Sequence, residues 1–203
     1  ILNEYAGEKQ KMKDVKFIFY DTAVSLRDFI GKFGQNNMME IVQGEYNSDY
    51  SSRYSQHLDE PFTAAWYASA LIWQIRSQEI AIELFYAGTS AHEDKGFGMW
   101  SSELELWPVF NVKKLFVKYN TIGSTIADST YNEFFDVLGI ENENGKFITI
   151  VNKQNIKSSL NINLVTGSFK EAIDLGDGEK HAILNNTIKL NLEPYEVRFI
   201  EVG

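Results

Sequence analysis

Residues 62–76 read as a helix that is apolar on nearly every side. Ala64, Ala65, Trp66, Ala68, Ala70, Leu71, Ile72, Trp73 and Ile75 leave no polar stripe for water. Such a helix is packed on more than one face, and Trp66 and Trp73, seven residues apart, belong to that packing. Pro61 supplies its start, because a proline in the first turn gives up no hydrogen bond. The flanking runs, 39–45 and 79–86, are apolar and of strand length. Strands that are apolar on both faces belong to parallel sheets covered by helices. The spacing therefore predicts a strand–helix–strand unit with the helix crossing over the sheet.

The surroundings extend this pattern. Residues 1–13 are polar and lysine-rich and read as a loop. Residues 14–33 carry two signals. Val15–Tyr20 has strand-like composition, whereas Val24, Leu26, Phe29, Ile30 and Phe33 fall near helical spacing, with Asp21 as N-cap and Gly34 as C-cap. Pro108 opens a last helix through Tyr119, with Val109, Val112, Leu115, Phe116 and Tyr119 on one stripe. The loops after both strands, 46–60 and 87–106, are long and polar. In an α/β barrel, loops at those strand ends build the site.

The texture changes near Gly123. Residues 134–140 and 146–151 flank Glu143-Asn144-Gly145, a hairpin signal. Runs at 161–165, 171–175, 187–192 and 196–202 alternate apolar with polar, the pattern of an antiparallel β-sandwich. The expected organisation is an α/β region over 1–122 followed by an all-β domain over 123–203.

Composition excludes several classes. The net charge is -9 without a basic cluster, which disfavours nucleic acid as a partner. There is no cysteine, so disulfides, thiolate metal sites and a cysteine nucleophile are ruled out. His57 with Asp59, or His92 with Glu93 and Asp94, matches no zinc template, and no metal or other cofactor is expected. No apolar run reaches the roughly 20 residues of a membrane span. The composition fits a soluble chain in an extracellular or a cytoplasmic setting. The first residue is Ile1 rather than Met, so the expectation is a longer product or a processed one.

The segment Gly44-Glu45-Tyr46-Asn47-Ser48-Asp49-Tyr50-Ser51 carries the chemistry. A carboxylate at the end of a buried strand, followed by tyrosines, an amide and hydroxyls, suits a pocket floor better than a core. Sugars are bound by that combination of anionic oxygen, amide and aromatic face. A solvated strand-end carboxylate is the plainer reading of Glu45. Tyr50 and Tyr54 either stack on sugar rings or pack the loop. Tyr86 at the end of the second strand and His92 in the loop after it are further candidates, and Glu93 and Asp94 in that loop offer hydrogen bonds to hydroxyls or form a solvated charge pair. Phe97 and Trp100 wall a subsite or pack locally. His181 lies in the β region and has no part in the site.

These motifs, in this order, resemble glycoside hydrolase family 39, the retaining β-xylosidases and their relatives, over roughly residues 38–203. The family's strand-end motif, of the type Thr-Glu-Phe-Asn-Thr-Ser-Tyr, reads here Gly44-Glu45-Tyr46-Asn47-Ser48-Asp49-Tyr50. The small-residue helix (Ala64-Ala65-Trp66-Tyr67-Ala68), the Gly96-Phe97-Gly98 loop and the closing helix with Pro108, Asn111, Lys114 and Phe116 follow in family order. The resemblance implies the C-terminal portion of a (β/α)8 TIM barrel and then an antiparallel β-sandwich. It implies Glu45 as catalytic nucleophile, with Tyr46, Asn47, Tyr50, Tyr86, His92, Glu93 and Trp100 around a carbohydrate substrate.

The departure from the family is one of length. A (β/α)8 barrel takes about 250 residues, and this chain supplies what resembles its last two strands. The family's acid/base sits in an Asn-Glu-Pro sequence. Asn3-Glu4-Tyr5 lacks the proline and lies too close to Glu45, so the acid/base is expected outside this chain. The remaining barrel portion would come from another chain, a longer precursor or self-association. The rival expectation is a module of the same origin that binds carbohydrate or assembles without turnover.

Overall fold

The computed structural model describes residues 2–33, 39–48, 60–85, 98–101, 103–127, 129, 131–165 and 167–203. The chain divides into two compact units, 1–111 and 112–203, with the division inside the helix Pro108–Tyr119.

The first unit opens with helix α1 (Leu2–Lys16), a π-helical turn (Phe17–Asp21) and helix α2 (Thr22–Lys32). This corrects the reading of 1–13 as a loop and of Val15–Tyr20 as a strand. It also corrects Asp21 as an N-cap. Asp21 sits at φ -64°, ψ -34° with no side-chain cap bond, and its carboxylate pairs with Lys16 Nζ at 2.6 Å. Backbone and side chain of Thr22 both bond to the Phe17 carbonyl, which carries the ladder through the π turn. Met12, Val15, Phe19 and Ala23 are the buried positions. Their spacing of three and four residues is a helical stripe running across the π turn.

That stripe explains α3 (Pro61–Ser77). Fourteen of its seventeen residues are buried, so it has no solvent face. α1, the π turn and α2 pack against it within the unit, and strand β2 (Ile80–Phe85) packs there too. Pro61 occupies its first turn, and Gln78 ends it in the left-handed region at φ 56°, its N–H bonding the Ile75 carbonyl. β1 (Ile41–Tyr46) pairs with β2 in parallel, as a helical crossover requires.

In the second unit, the remainder of α4 (Pro108–Tyr119) packs on β strands. Phe116 meets Phe199 at 5.2 Å and Tyr119 meets Phe147 at 4.9 Å between ring centroids. The Asn142 side-chain amide donates to the Tyr119 carbonyl at 2.8 Å, satisfying the helix end. Eight antiparallel strands follow: β3 (Thr125–Ala127), β4 (Phe135–Asn142), β5 (Gly145–Asn152), β6 (Ser158–Asn163), β7 (Glu171–Asp174), β8 (Lys180–Leu184), β9 (Thr187–Leu192) and β10 (Val197–Val202). Their order is β3-β4-β5-β10-β7-β8-β9-β6.

The expected antiparallel sandwich is present as one sheet curled on itself. Ile188, Leu190 and Leu192 of β9 share a core with Ile148 and Ile150 of β5 and Ile200 and Val202 of β10. The β4–β5 hairpin turns at Glu143–Asn144, with Asn142 opposite Gly145. The Asn142 side-chain oxygen accepts the Asn144 N–H at 2.9 Å. β8 and β9 join through Asn185–Asn186, both at positive φ (51° and 58°), the type I′ geometry that suits strand twist.

Candidate functional site

Of the residues singled out from sequence, Glu45, Tyr46 and Asn47 are described at the end of β1. Gln43 lies opposite Glu83 and Tyr46 opposite Phe85, so three steps along β1 match two along β2. The extra residue falls at Gly44–Glu45. Such a bulge re-aims the side chains around it and is common beside active sites. Tyr46 is buried on the α3 side of the sheet, whereas Glu45 is exposed. Successive strand residues point to opposite faces, but the extra residue interrupts that alternation at Gly44–Glu45, so it is exposure that distinguishes Glu45 from Tyr46. The face of the sheet away from α3 carries Val42, Ile82 and Leu84, which are 49%, 48% and 54% exposed. The sheet is thus apolar on both faces, as the sequence indicates, and among the described residues α3 covers one of them.

Tyr46 packs into an aromatic group formed by α3, β2 and the π turn. Its ring lies 5.2 Å from Phe19, 6.0 Å from Phe85 and 6.1 Å from both Trp66 and Tyr67. Aromatic pairs at such separations add about 0.5–1.5 kcal/mol each beyond burial. Its hydroxyl is near Gln74, Tyr67 and Glu83. Burial first, and then the negative charge of Glu83, push the Tyr46 phenol well above its ordinary pKa. Tyr67 is raised as well, by burial first and then by the charges of Tyr46 and Glu83. The Tyr67 hydroxyl donates to Glu83 Oε1 at 2.6 Å.

Asn47 and Ser48 are buried where the strand ends. Asn47 Oδ1 accepts the Ser48 N–H at 2.7 Å and the Ser48 hydroxyl at 3.3 Å, so this amide helps turn the chain. Trp100 is half-buried, bridges to Leu106 and stacks edge-on to Phe110 at 5.9 Å. Tyr50, Tyr54, Tyr86, His92, Glu93, Asp94 and Phe97 lie outside the described residues, as do His57 and Asp59. Glu4 lies inside α1 and not at a strand end, so Asn3-Glu4-Tyr5 has no counterpart of an acid/base strand. Among the described residues, no three His, Asp or Glu side chains gather as a metal site.

The polar group of Tyr67, Gln74 and Glu83 escaped the sequence reading. Its signal is Glu83, a carboxylate inside the apolar strand Ile80–Phe85. Glu83 bonds a tyrosine of α3, so it serves the helix side of the sheet.

A parallel βα portion leading into a curled antiparallel sheet is the C-terminal part of a barrel-plus-β-domain fold found in glycoside hydrolases. No protein-family model and no curated protein matches the sequence. Among solved structures, the chain is similar to an arabinofuranosidase at TM-score 0.71 and 14% identity, with 97% of this chain and 50% of that one covered. It is also similar to a family 39 glycoside hydrolase from the gut symbiont Bacteroides cellulosilyticus WH2. There the TM-score is 0.65 and the identity 15%, with 87% of this chain and 38% of that one covered. A GH30 endoxylanase from Clostridium papyrosolvens C71 gives TM-score 0.62 and 13% identity, with 86% and 44% covered. The chain spans half or less of the length of each. At these identities the likeness establishes the fold.

Proposed function

We propose that this chain supplies the nucleophile, Glu45, of a retaining glycoside hydrolase that cleaves β-glycosidic bonds, of a β-xyloside or a related substrate. What supports this reading is the position of Glu45: an exposed carboxylate at the C-terminal end of a parallel strand, beside a bulge that on this reading directs it to the open side of the sheet. In a (β/α)8 barrel that end and that side hold the reacting groups. Glu45 attacks the anomeric carbon, the leaving group departs with a proton from an acid, and water releases the sugar from the glycosyl-enzyme. Retention requires a second carboxylate about 5–5.5 Å away. Glu83 is directed to Tyr67, so we assign the acid/base to the remaining barrel portion. That portion also covers Val42, Ile82 and Leu84, and is supplied by a longer chain, another chain or self-association. Tyr50, Tyr86, His92, Glu93 and Trp100 are the proposed sugar contacts, with Asn47 shaping the loop that carries Tyr50.

The test is covalent trapping in the complete assembly. A deoxyfluoro glycoside with a good leaving group is expected to label Glu45. Glu45→Gln is expected to abolish turnover by many powers of ten, because it removes the nucleophilic charge and little else. A label on another carboxylate, or undiminished turnover by Glu45→Gln, overturns the assignment. Sugar binding without any label, weakened by Tyr50→Ala or Trp100→Ala, would instead identify a binding module.

A further inference from the structure

We propose that Tyr67 and Glu83, with the Tyr46 ring, form a positioning device that sets the aim of Glu45. The inference rests on the reading of Glu45 as nucleophile. The parallel ladder is irregular between Gln43 and Tyr46, so regular backbone pairing does not by itself fix the conformation at Gly44–Glu45. Side chains on either side of the bulge are placed to hold it. Before the bulge, Gln43 pairs with Glu83, which is tied to α3 by the Tyr67 hydroxyl at 2.6 Å. After it, Tyr46 pairs with Phe85, and both rings lie against the same Tyr67, at 6.1 Å and 4.7 Å. Tyr67 is therefore a side chain that contacts the sheet on both sides of the irregular step. It is 0% exposed, so its ring has little freedom to follow a shifted strand.

The chemistry of the pair favours positioning over plain stability. A carboxylate and a phenol placed between helix and sheet lose hydration that apolar residues of the same volume would not lose. Their hydrogen bond is directional, whereas apolar packing tolerates small slides along the strand. A slide of about 1 Å at a reacting carboxylate costs on the order of a hundredfold in rate.

Two measurements decide this. In the complete assembly, Tyr67→Phe is expected to lower kcat about ten- to a hundredfold with KM within about twofold. Glu83→Ala should do the same, while Glu83→Gln, which keeps an acceptor for the tyrosine, should recover most of kcat. A merely structural role would lower the melting temperature and leave kcat intact in the folded fraction. On the 203-residue chain, which needs no turnover, Tyr67→Phe is expected to speed amide exchange at Glu45 and Tyr46 about tenfold while α3 keeps its protection. Unchanged exchange and unchanged kcat overturn the proposal, whatever Glu45→Gln does. Faster exchange with an active Glu45→Gln keeps the device and removes the nucleophile.

Discussion

The two units treat their sheets in opposite ways. The eight strands of 112–203 curl so that the apolar side chains of β5, β9 and β10 meet each other. The two strands of 1–111 bury one face under α3 and leave Val42, Ile82 and Leu84 about half exposed. The α/β unit is thus complete around its helix, with α1 and α2 closing the outside of α3, and incomplete around its sheet. On the proposed reading, what the sheet lacks is the inside of a barrel, the side to which Glu45 would be directed. On that reading the exposed apolar face and the proposed reacting group both belong with the proposed remaining barrel portion.

The units can be followed separately because all four tryptophans (Trp66, Trp73, Trp100 and Trp107) fall in 1–111. Tryptophan fluorescence therefore reports the first unit, and amide exchange in β5 and β10 reports the second. The largest stability effects belong at the centre of each core. Trp66→Ala, which leaves a space beside Phe19 and Tyr46, should cost about 3–5 kcal/mol in denaturant titrations followed by fluorescence. Ile200→Ala, at a site with no exposure, should cost about 2–5 kcal/mol in β10 exchange. A loss below about 1 kcal/mol for Trp66→Ala would mean that the aromatic group around α3 is not a packed core.

Alkaline pH should separate the units next. Tyr46 and Tyr67 have folded pKa values raised well above the ordinary tyrosine value, which is about 10 in the unfolded chain. Above pH 10 the unfolded state loses these protons while the folded state keeps them, so stability falls as pH rises. Below pH 10 both states are protonated and the contribution is fully present. The slope is at most about 1.4 kcal/mol per pH unit for each tyrosine. Tyr67→Phe should flatten the fall in the fluorescence-detected transition between pH 10 and 12. A flat wild-type profile there would show that these phenols ionise freely in the folded unit.

A smaller effect belongs to the β8–β9 turn. Asn186 at φ 58° tolerates a conformation that costs most residues roughly 1–2 kcal/mol. Asn186→Ala should lose about that much in β9 exchange, and Asn186→Gly should retain stability. Equal stability of all three would mean that the turn is not type I′ in solution.

How much of this was legible in the sequence depended on whether the signal was local. The two-sided helix, Pro61 at its start and the Glu143-Asn144-Gly145 hairpin are local patterns, and the structure has them. Asn185-Asn186 was an equally local turn signal, and reading it would have placed β8, which the sequence reading left out. α1 was hidden because its surface is lysine-rich and its apolar residues are sparse, although Met12, Val15, Phe19 and Ala23 hold helical spacing. At the site, Glu45 and Tyr46 are neighbours that differ in burial, but only pairing with β2 reveals the extra residue between Gln43 and Tyr46. The bond between Tyr67 and Glu83 joins a helix to a strand sixteen residues away, and no periodicity within either element indicates it.

The smallest expected effect bears most directly on the contrast between the sheets. Leu84→Ser replaces an apolar side chain that is 54% exposed and faces away from α3. Surface substitutions clear of special features change stability by about 0.5 kcal/mol or less, so the fluorescence transition of the 203-residue chain should barely move. In the complete assembly the same position lies inside the proposed barrel, and truncating a buried leucine costs about 2–5 kcal/mol. The prediction is therefore a difference: near zero in the chain alone and large once the barrel is complete. A loss of about 2 kcal/mol or more in the chain alone would show the face already covered, and concentration-dependent light scattering would then identify a second copy as the cover. No loss in either setting would separate the open face from the barrel interior and remove the ground for placing Glu45 there.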